Sequence, residues 1–443
     1  MLKIWHPFTQ QHIDPQPLKV VRAKGVHLYT EDGRRIIDAI SSWWVNLHGH
    51  CHPKIAAAIA SQAGSLDHVL LAGFSHPKVE ALTKQLRNVV PAALEHIFFS
   101  DDGSTAVEVA LKLALQYWRN QGRPQKQGIV ALEHAYHGDT AGAMSVGAES
   151  AFTSPFASML FPVHRVHSAY CLRCPVGKQR STCDIDCVQS LAELLEHKDD
   201  EIAAVIVEPL LQGAGGMIVH PVEFLQKVRA LCTRHNVFLI ADEVLTGFGR
   251  CGKMFACDLA QVVPDLMCLS KGITGGFMAM GATLCTREIQ AAFAGAGQSF
   301  FHGHSYTGNP LACAAAVANM EIFETEDVFT RIEAIAANHE KRLLHLASHP
   351  RVEQTRQLGT VAAIELRASD PGYFSSLKPK LYRYFLDRGV LLRPLGNVLY
   401  VLPPYVISPA DLDYVYSVIE DALEEGTHLW ELSESDHLAA KNV

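Results

Sequence analysis

Five short runs of apolar residues, separated by longer stretches, constrain the fold of this chain more than any other feature of its sequence. Each run has the length of a β-strand and is apolar without alternation, which indicates burial on both faces. Strands of this kind are typical of a largely parallel sheet that helices cover on both sides. The predicted strands are His96–Ser100, Gly128–Leu132, Ala203–Glu208, Val237–Asp242 and Asp265–Ser270.

The stretch between the first two runs has the pattern of an amphipathic helix. Within Ser104–Asn120, apolar side chains recur at helical spacing at Val107, Leu111, Leu115 and Trp118. Repeated alternation of strands and helices along the middle of the chain predicts an α/β fold with a mostly parallel sheet.

The length of 443 residues exceeds that of one ordinary domain and predicts two or three structural units. We expect a large α/β domain over residues 50–310 and a smaller α+β domain over residues 311–443, where helices mix with short strands. Residues 1–49 contain short alternating strands with turns, and we expect this segment to pack against the small domain.

Composition and charge narrow the class of protein. Hydrophobic residues make up 48% of the chain and charged residues 19%, which excludes disorder as the main state. The net charge of −8 and the lack of a Lys/Arg block argue against nucleic-acid binding. The sequence has no apolar run of membrane-spanning length, and its first residues do not resemble a secretion signal. We therefore predict a cytoplasmic protein that acts on small molecules.

Glycine-rich or polar segments follow several predicted strands, at the sheet edge where open α/β proteins bind ligands. Gly103 and Ser104 precede the predicted helix, with Ser104 as its expected N-cap, and a helix start suits a phosphate group. Tyr136 follows the strand Gly128–Leu132 and could stack on a flat ring. The alternatives are an ordinary capped helix and a half-buried surface tyrosine.

Two ionisable residues complete this set. Asp242 ends one apolar strand and needs a partner for its charge, and Lys271 ends the next strand beside glycines, where burial would favour a nucleophilic amine. Alone, each could be a helix-capping aspartate or a lysine that reaches solvent. Together with a phosphate cradle and a stacking aromatic, they are the groups that a pyridoxal phosphate enzyme must supply.

Three segments carry a resemblance to a known family. The runs LIADEVLTGFGRCGKMFACD, PDLMCLSKGITGG and FFHGHSYTGNPLACAAA are similar to class III aminotransferases. The resemblance extends along nearly the whole chain. It implies the type I fold of pyridoxal phosphate enzymes, transamination as the reaction, and a homodimer whose active sites are shared between subunits.

A closer resemblance is to the branch of this family that acts in biotin biosynthesis. It is carried by IWHPFT near the amino terminus, by SSWWVNLHGH at residues 41–50 and by YHGDT at residues 136–140. It implies transfer of an amino group from S-adenosylmethionine to 8-amino-7-oxononanoate, giving 7,8-diaminononanoate.

The resemblance also implies roles for the residues around the cofactor. Lys271 would form the Schiff base and move protons, and Asp242 would pair with the pyridine nitrogen. Tyr136 would stack near the ring and touch substrate. Gly103 and Ser104 would bind the phosphate.

Further roles concern the substrates and the second subunit. Gly303 would contact substrate, whereas His304 and Ser305 would lie at the phosphate of the partner's site, as a similar Pro-Thr pair does in the family. Trp43 would cover the substrate chain, and Arg393 would bind the acceptor's carboxylate, for which an arginine fork is suited.

One departure from the family pattern leaves the amino donor open. Phe8 stands in this substrate site where the best-known members have a tyrosine, and the pattern with phenylalanine also occurs in relatives that resemble lysine-using enzymes. The alternatives are therefore lysine as donor, another class III ω-amino acid or diamine transaminase, or a non-catalytic sensor that keeps the cofactor.

Four of the eleven cysteines are clustered, at Cys171, Cys174, Cys183 and Cys187. The first pair has the C-x2-C spacing of zinc sites, but the second pair has a looser spacing. A metal-binding interaction module would leave the rest of the chain unexplained. We therefore predict reduced thiols and no metal site, and we expect reduced thiols for the seven scattered cysteines too.

Overall fold

A computed structural model describes residues 4–9 and 17–424 of the chain. Its strands are β1 (Val20–Lys24), β2 (His27–Thr30), β3 (Arg35–Asp38), β4 (Leu94–Ser100), β5 (Gly128–Leu132), β6 (His164–Val166), β7 (Ile202–Val207), β8 (Leu211–Gln212), β9 (Ile218–Val219), β10 (Phe238–Asp242), β11 (Leu266–Leu269), β12 (Gly281–Thr286), β13 (Val352–Leu358), β14 (Val361–Leu366), β15 (Val390–Leu391) and β16 (Val398–Val401).

Helices connect most of these strands. The α-helices are Pro53–Ala63, Pro77–Arg87, Gly103–Asn120, Ala141–Val146, Gln189–Lys198, Val222–Arg234, Ala256–Ala260, Arg287–Ala291, Pro310–Thr325, Val328–Leu346, Leu377–Asp387 and Pro409–Glu424. Short 3₁₀ helices are Ser154–Met159, Cys171–Arg173, Asp186–Val188 and Lys271–Thr274. None of the helices in the described ranges has the length and hydropathy of a membrane span.

A seven-stranded sheet lies at the centre of the described chain, in the order β4-β12-β11-β10-β7-β5-β6. The strands are parallel except β12, which runs antiparallel to both neighbours, β11 and β4. The five predicted strands are all present. The apolar runs did not indicate β6 and β12, because β6 has three residues and β12 contains Gly281 and two threonines among its apolar residues.

Helices cover both faces of this sheet, which explains why its strands are apolar without alternation. On one face, Ile206 and Ile240 pack with the buried side of helix Gly103–Asn120. On the other face, Val205 and Leu239 belong to a separate apolar cluster that includes residues of the helix Val222–Arg234. Successive residues of each strand therefore enter two different cores.

Two smaller sheets are built from the ends of the chain. One has the order β1-β2-β3-β15, in which β15 is parallel to β3, and the other has the order β13-β14-β16. The pairing of β15 with β3 joins the amino-terminal segment to the carboxyl-terminal third. The domain boundaries at residues 49 and 310 stay a prediction.

Candidate active site

The chemically reactive side chains lie beyond the carboxyl ends of the parallel strands. Tyr136 follows β5, Glu208 follows β7, Asp242 ends β10 and Lys271 follows β11. Gly103 follows β4 at the start of the helix Gly103–Asn120. These strands share one sheet, so residues as far apart in the chain as Gly103 and Lys271 meet at one edge.

Asp242 is buried, and both of its carboxylate oxygens have partners. Oδ2 lies 2.7 Å from His137 Nδ1, and Oδ1 accepts a hydrogen bond from Val244 N at 3.1 Å. His137 is itself buried, and its Nε2 atom has no hydrogen-bond partner among the described residues. His137 was not predicted as a site residue, although it lies in the YHGDT segment next to Tyr136.

Lys271 stands at the start of a 3₁₀ helix with a left-handed φ of 43°. Its Nζ atom lies 4.6 Å from the centroid of the Trp44 ring. Burial lowers the pKa of the Lys271 ammonium to about 8, although the nearby Asp242 and Glu208 oppose this shift. A larger fraction of the side chain is therefore a neutral, nucleophilic amine near pH 8 than for an ordinary lysine.

Glu208 is a buried carboxyl that the sequence reasoning did not assign to the site. It accepts hydrogen bonds from Tyr136 N and Gly213 N, each at 3.0 Å. Burial raises the pKa of Glu208 to about 7. Its position at the end of the run Ala203–Glu208 was the available signal, because a charge that ends an apolar strand needs partners.

Tyr136 is partly exposed at the same edge. Burial, followed by the nearby carboxylate of Asp139, raises the pKa of the Tyr136 phenol, so the hydroxyl keeps its proton at neutral pH. The backbone of Tyr136 is fixed by Glu208, as described above. The ring is thus anchored at its backbone while its side chain remains accessible.

The helix start at Gly103 differs from the prediction in its cap. Asp102, not Ser104, is the N-cap, because its side chain accepts a hydrogen bond from Thr105 N at 2.8 Å. Ser104 lies inside the first turn, where its hydroxyl forms a 2.7 Å hydrogen bond with Thr140 Oγ1 and accepts from Thr140 N at 3.0 Å. The prediction was wrong because Asp102, one position before Gly103, is as good a cap as serine.

The YHGDT segment packs directly on this helix start. Gly138 has a φ of 127°, and a Cβ atom at this position would lie 2.8 Å from Ser104 Cα. Glu108 Oε1 accepts hydrogen bonds from Thr140 Oγ1 and Gly142 N, each at 2.7 Å. Two segments predicted to bind one ligand are therefore fixed against each other.

A left-handed turn, Ser41–Trp44, forms the opposite wall of the site. All four residues have positive φ, between 45° and 80°, which is unusual for consecutive residues other than glycine. The buried Asp38 carboxylate accepts hydrogen bonds from Ser42 N at 2.9 Å and Ser42 Oγ at 2.7 Å, and it pairs with His50 Nε2 at 2.8 Å. These contacts hold a conformation that the backbone alone disfavours.

The buried Arg250 also holds this wall, and the sequence reasoning missed it. Its guanidinium donates hydrogen bonds to the carbonyl oxygens of Trp44 at 3.3 Å, Asn46 at 3.0 Å and Pro403 at 2.9 Å. The available signal was an arginine enclosed by glycine, phenylalanine and cysteine in the segment GFGRCG. An arginine is rarely buried unless hydrogen bonds compensate for its loss of water.

The turn places three predicted substrate residues together. The Arg393 guanidinium lies 4.3 Å from the centroid of the half-exposed Trp43 ring. The Phe8 ring meets Trp43 edge-on, with centroids 5.5 Å apart. Two adjacent residues of the turn thus contact different cations, Trp44 the Lys271 amine and Trp43 the Arg393 guanidinium.

The segment around Gly303 lies on an exposed loop. Gly303 and Ser305 are exposed, and His304 Nδ1 lies 3.3 Å from Asp101 Oδ2 near the helix start. Phe301 in the same loop is almost entirely exposed. The roles of Gly303, His304 and Ser305 stay predictions.

The four clustered cysteines line one small cavity. All eleven cysteines are free thiols in the structure. In residues 4–9 and 17–424, no group of three or more His, Cys, Asp or Glu side chains is arranged to hold a metal ion.

The family model for class III aminotransferases matches residues 8–423. The chain is a class III aminotransferase. This confirms the family predicted from the three sequence segments, and pyridoxal 5′-phosphate is its cofactor.

Relatives and solved structures agree with this assignment. A relative from Synechococcus elongatus named adenosylmethionine-8-amino-7-oxononanoate aminotransferase is 46% identical over 424 residues, which span 95% of this chain and 98% of the relative. The crystal structure of a protein of the same name from Methanocaldococcus jannaschii superposes with a TM-score of 0.88 at 35% identity, covering 94% of this chain and 97% of that one.

An amine transaminase from an uncultivated Pseudomonas species, solved in its PLP-bound form, superposes with a TM-score of 0.90 at 32% identity, covering 96% of this chain and 99% of that one. The predicted type I aminotransferase fold is therefore confirmed.

The residues at the sheet edge suit this cofactor. Asp242, a buried carboxylate held in place by hydrogen bonds to both oxygens, can face a cationic ring nitrogen. Lys271, whose pKa is lowered by burial, can act as the nucleophile. The first turn of the helix Gly103–Asn120 supplies backbone N–H groups that have no acceptor within the helix.

Proposed function

We propose that this class III aminotransferase transfers an amino group from S-adenosylmethionine to 8-amino-7-oxononanoate, a step of biotin biosynthesis. The name of the Synechococcus relative, at 46% identity over nearly the whole chain, supports this choice of substrates. The observation that carries it is the contact between Arg393 and Trp43, because it sets a cation suited to a carboxylate on an apolar ring, one residue along the chain from the Trp44 ring that Lys271 contacts.

The residues described above would hold the cofactor as follows. Asp242 would pair with the ring nitrogen, with His137 keeping its carboxylate in place. Tyr136 would lie against the ring, and Gly103 and Ser104 would contact the phosphate. When bound, pyridoxal phosphate withdraws electrons from the donor's α-carbon and so makes its proton acidic.

Lys271 would carry out the proton transfer. Its amine is nucleophilic because burial lowers its pKa, and the same group, once free, can take the α-proton of the donor and deliver it nearby. Asp242 would keep the ring nitrogen protonated, since a buried carboxylate stabilises a facing positive charge. The amino group is held on the enzyme between two half-reactions, so donor and acceptor use the site in turn.

The substrates would occupy the wall formed by the left-handed turn. Trp43 would cover the hydrocarbon chain of 8-amino-7-oxononanoate, and Arg393 would bind its terminal carboxylate. Tyr136 and Phe8 would contact substrate from the two sides of the opening, and Gly303 would contact it from the exposed loop.

Measurement of the two half-reactions tests this function. The purified holoenzyme is mixed with S-adenosylmethionine, lysine or a simple diamine, and loss of the absorption band of the bound cofactor is followed. We expect S-adenosylmethionine to discharge the band and 8-amino-7-oxononanoate to restore it. Loss of the band with lysine but not with S-adenosylmethionine would contradict S-adenosylmethionine as the donor. Loss of the band with diamines alone would favour an ω-amino acid or diamine transaminase.

Two variants test the residues within the same assay. Lys271→Ala removes nucleophile and base, and general acid–base catalysis alone contributes roughly 10²–10⁴-fold, so the variant should lose several orders of magnitude in rate. Asp242→Asn should keep the fold and slow both half-reactions. A near-normal rate in Lys271→Ala would contradict the role of Lys271 as nucleophile and base.

We also propose that the enzyme is a cytoplasmic homodimer in which His304 and Ser305 serve the site of the second subunit. The exposed loop that carries them supports this arrangement.

Ser305→Asp should inactivate the enzyme, because the new carboxylate would repel the cofactor's phosphate. If the site is shared, subunit exchange between Ser305→Asp and Lys271→Ala should restore about a quarter of wild-type activity, because each hybrid dimer has one intact site. No recovery in verified hybrid dimers would contradict a shared site.

A further inference from the structure

A group of aromatic rings continues the substrate wall outward from Trp43. Phe8 contacts Trp43 at 5.5 Å and Phe152 at 6.4 Å between ring centroids. Phe152 in turn meets Tyr373 edge-on at 4.7 Å and stacks on Phe374 at 5.4 Å, with an interplanar angle of 22°. We call these five side chains the outer aromatic cluster.

Four of the five rings of the outer aromatic cluster are substantially exposed. Relative exposure is 52% for Phe8, 41% for Trp43, 38% for Phe152 and 56% for Phe374. The rings come from four separate segments of the chain that converge at the site opening. A contiguous exposed apolar patch at a binding cleft is a sign of ligand contact rather than of core packing.

Cationic side chains flank this cluster. Arg393 lies over Trp43 at its inner end, and the Lys378 ammonium lies 3.5 Å from the Tyr373 ring centroid at its outer end. A ligand ring that stacks here would therefore sit between two positive charges. This setting suits a neutral, electron-rich heterocycle and disfavours a second cation.

Length decides which substrate can reach the outer rings. In the proposed function, the acceptor's carboxylate ends at Arg393, beside Trp43, so the acceptor does not extend to Phe152 or Phe374. The donor carries a flat purine base at the far end from its reacting amino group. Only the donor therefore has a group of the right shape beyond Trp43.

We propose that the outer aromatic cluster is a subsite that binds the purine base of the donor by stacking, with Phe152 and Phe374 as specificity-determining residues. This inference rests on the proposed function, since it assumes a donor that carries adenosine. Phe152 is the central ring, because it contacts Phe8, Tyr373 and Phe374, and its loss would separate the others.

Equilibrium binding tests the subsite without turnover. Binding of methylthioadenosine to the holoenzyme is measured by calorimetry for the wild type, Phe152→Ala, Phe374→Ala and Phe374→Tyr. Stacking of a base on an aromatic side chain is worth about 1–3 kcal/mol, so each alanine variant should bind about 5- to 150-fold more weakly. Phe374→Tyr keeps a ring and should bind as the wild type does.

Phe156→Ala is the matched control. Phe156 is 46% exposed and close in sequence to Phe152, but within the described residues it has no ring contact with the cluster. This variant should bind methylthioadenosine normally. Equally weakened binding in Phe156→Ala, or unchanged binding in both cluster variants, would overturn the proposal. A changed oligomeric state of the cluster variants would also overturn it, because the rings would then belong to a contact between subunits.

A pair of donors separates this proposal from the function on which it rests. S-methylmethionine has the same amino, carboxylate and sulfonium groups as S-adenosylmethionine but lacks the base. Phe152→Ala and Phe374→Ala should raise KM for S-adenosylmethionine and leave that for S-methylmethionine unchanged. If wild-type enzyme does not use S-adenosylmethionine at all, the proposed function fails; if it does and the variants are unaffected, only the subsite fails.

Discussion

At the scale of single residues, the reactivity of Lys271 depends on what surrounds it. The amine lies above the Trp44 ring, and burial outweighs the nearby carboxylates of Asp242 and Glu208 in setting its pKa. The sequence indicated Lys271 and Asp242 because charges at the ends of apolar strands are conspicuous. It could not indicate His137 as the partner of Asp242, since that contact joins side chains 105 positions apart.

The lowered pKa of Lys271 can be measured through cofactor uptake. We expect the rate at which the apoenzyme attaches pyridoxal phosphate covalently to rise with pH through a midpoint near 8, because only the neutral amine attacks and its pKa is lowered to about 8. Stopped-flow absorbance across pH 6–10, with N-acetyl-lysine methyl ester as the free-amine control, gives the profile. A midpoint equal to that of the control would contradict the structure.

Arg393 should act on one half-reaction more than on the other. Arg393→Ala removes a charge-assisted pair worth about 1.5–3 kcal/mol, so the efficiency of the acceptor half-reaction should fall about 10- to 150-fold. The efficiency of the half-reaction with S-adenosylmethionine should fall less. Arg393→Lys should rescue only partly, because an ammonium cannot make a two-pronged contact.

Single-turnover kinetics of each half-reaction provides the Arg393 measurement. Arg388→Ala is a matched control, since Arg388 also stacks on an aromatic ring, Tyr384, at 3.6 Å. This control should leave both half-reactions unchanged. An equal loss for donor and acceptor in Arg393→Ala would show that both carboxylates use the same arginine.

At the scale of elements, the sequence predicted the five apolar strands of the central sheet but did not indicate the left-handed turn Ser41–Trp44. Continuous apolar runs identify buried strands because both faces of the sheet are covered, as at β7 and β10. β12 lacked this signal. Nothing in the local sequence SSWW indicates a left-handed turn, because its conformation is imposed by Asp38 and Arg250 from outside the segment.

Removal of the Asp38 charge should therefore change substrate binding at a distance. Asp38→Asn weakens the charge-assisted hydrogen bonds to Ser42 and His50, each worth about 1.5–3 kcal/mol, so Trp43 should lose its fixed position. We expect a raised KM for the acceptor, a smaller change in kcat, and altered tryptophan fluorescence. Asp32→Asn, an exposed site on the neighbouring turn, is the control, and unchanged kinetics in Asp38→Asn would contradict a positioning role.

At the scale of the whole molecule, the structure keeps several histidines neutral in its interior. Burial lowers the pKa of His48 and His220 to about 3 and of His339 to about 4. His339 is held between the Tyr416 hydroxyl at 2.7 Å and the Thr360 carbonyl at 3.1 Å. In the unfolded chain, each of these rings would gain a proton near pH 6.5.

Acid should therefore destabilise the wild type more than His339→Gln. Between pH 6.5 and about 4, the unfolded state binds a proton at this position and the folded state does not, so unfolding becomes easier as pH falls. The difference in unfolding free energy between the two proteins should change by about 1.4 kcal/mol per pH unit. Urea titrations at several pH values measure it. His345→Gln, exposed on the same helix, should show no such trend, and a pH-independent difference for His339→Gln would contradict the burial effect.

Features of the fold that depend on local contacts or on general sheet geometry could be predicted from the sequence, and those that depend on distant contacts could not. The meeting of Tyr136, Asp242 and Lys271 at one edge follows from the general behaviour of parallel sheets, whose strands all end at the same side. The Ser104 cap was wrong because two neighbouring residues could cap equally well. Arg250 was missed because its partners lie 153 to 206 positions away along the chain, and Glu208 because its contact with Tyr136 spans 72 positions.

The left-handed turn also makes the site dependent on the completion of folding. Its supports come from Asp38 before it, from Arg250 in the middle of the chain and from the Leu402 carbonyl, which accepts a hydrogen bond from Ser41 Oγ. A nascent or half-refolded chain can contain the central sheet, and even the reactive lysine, without a wall that holds substrate. During refolding, helical content should therefore recover before activity does.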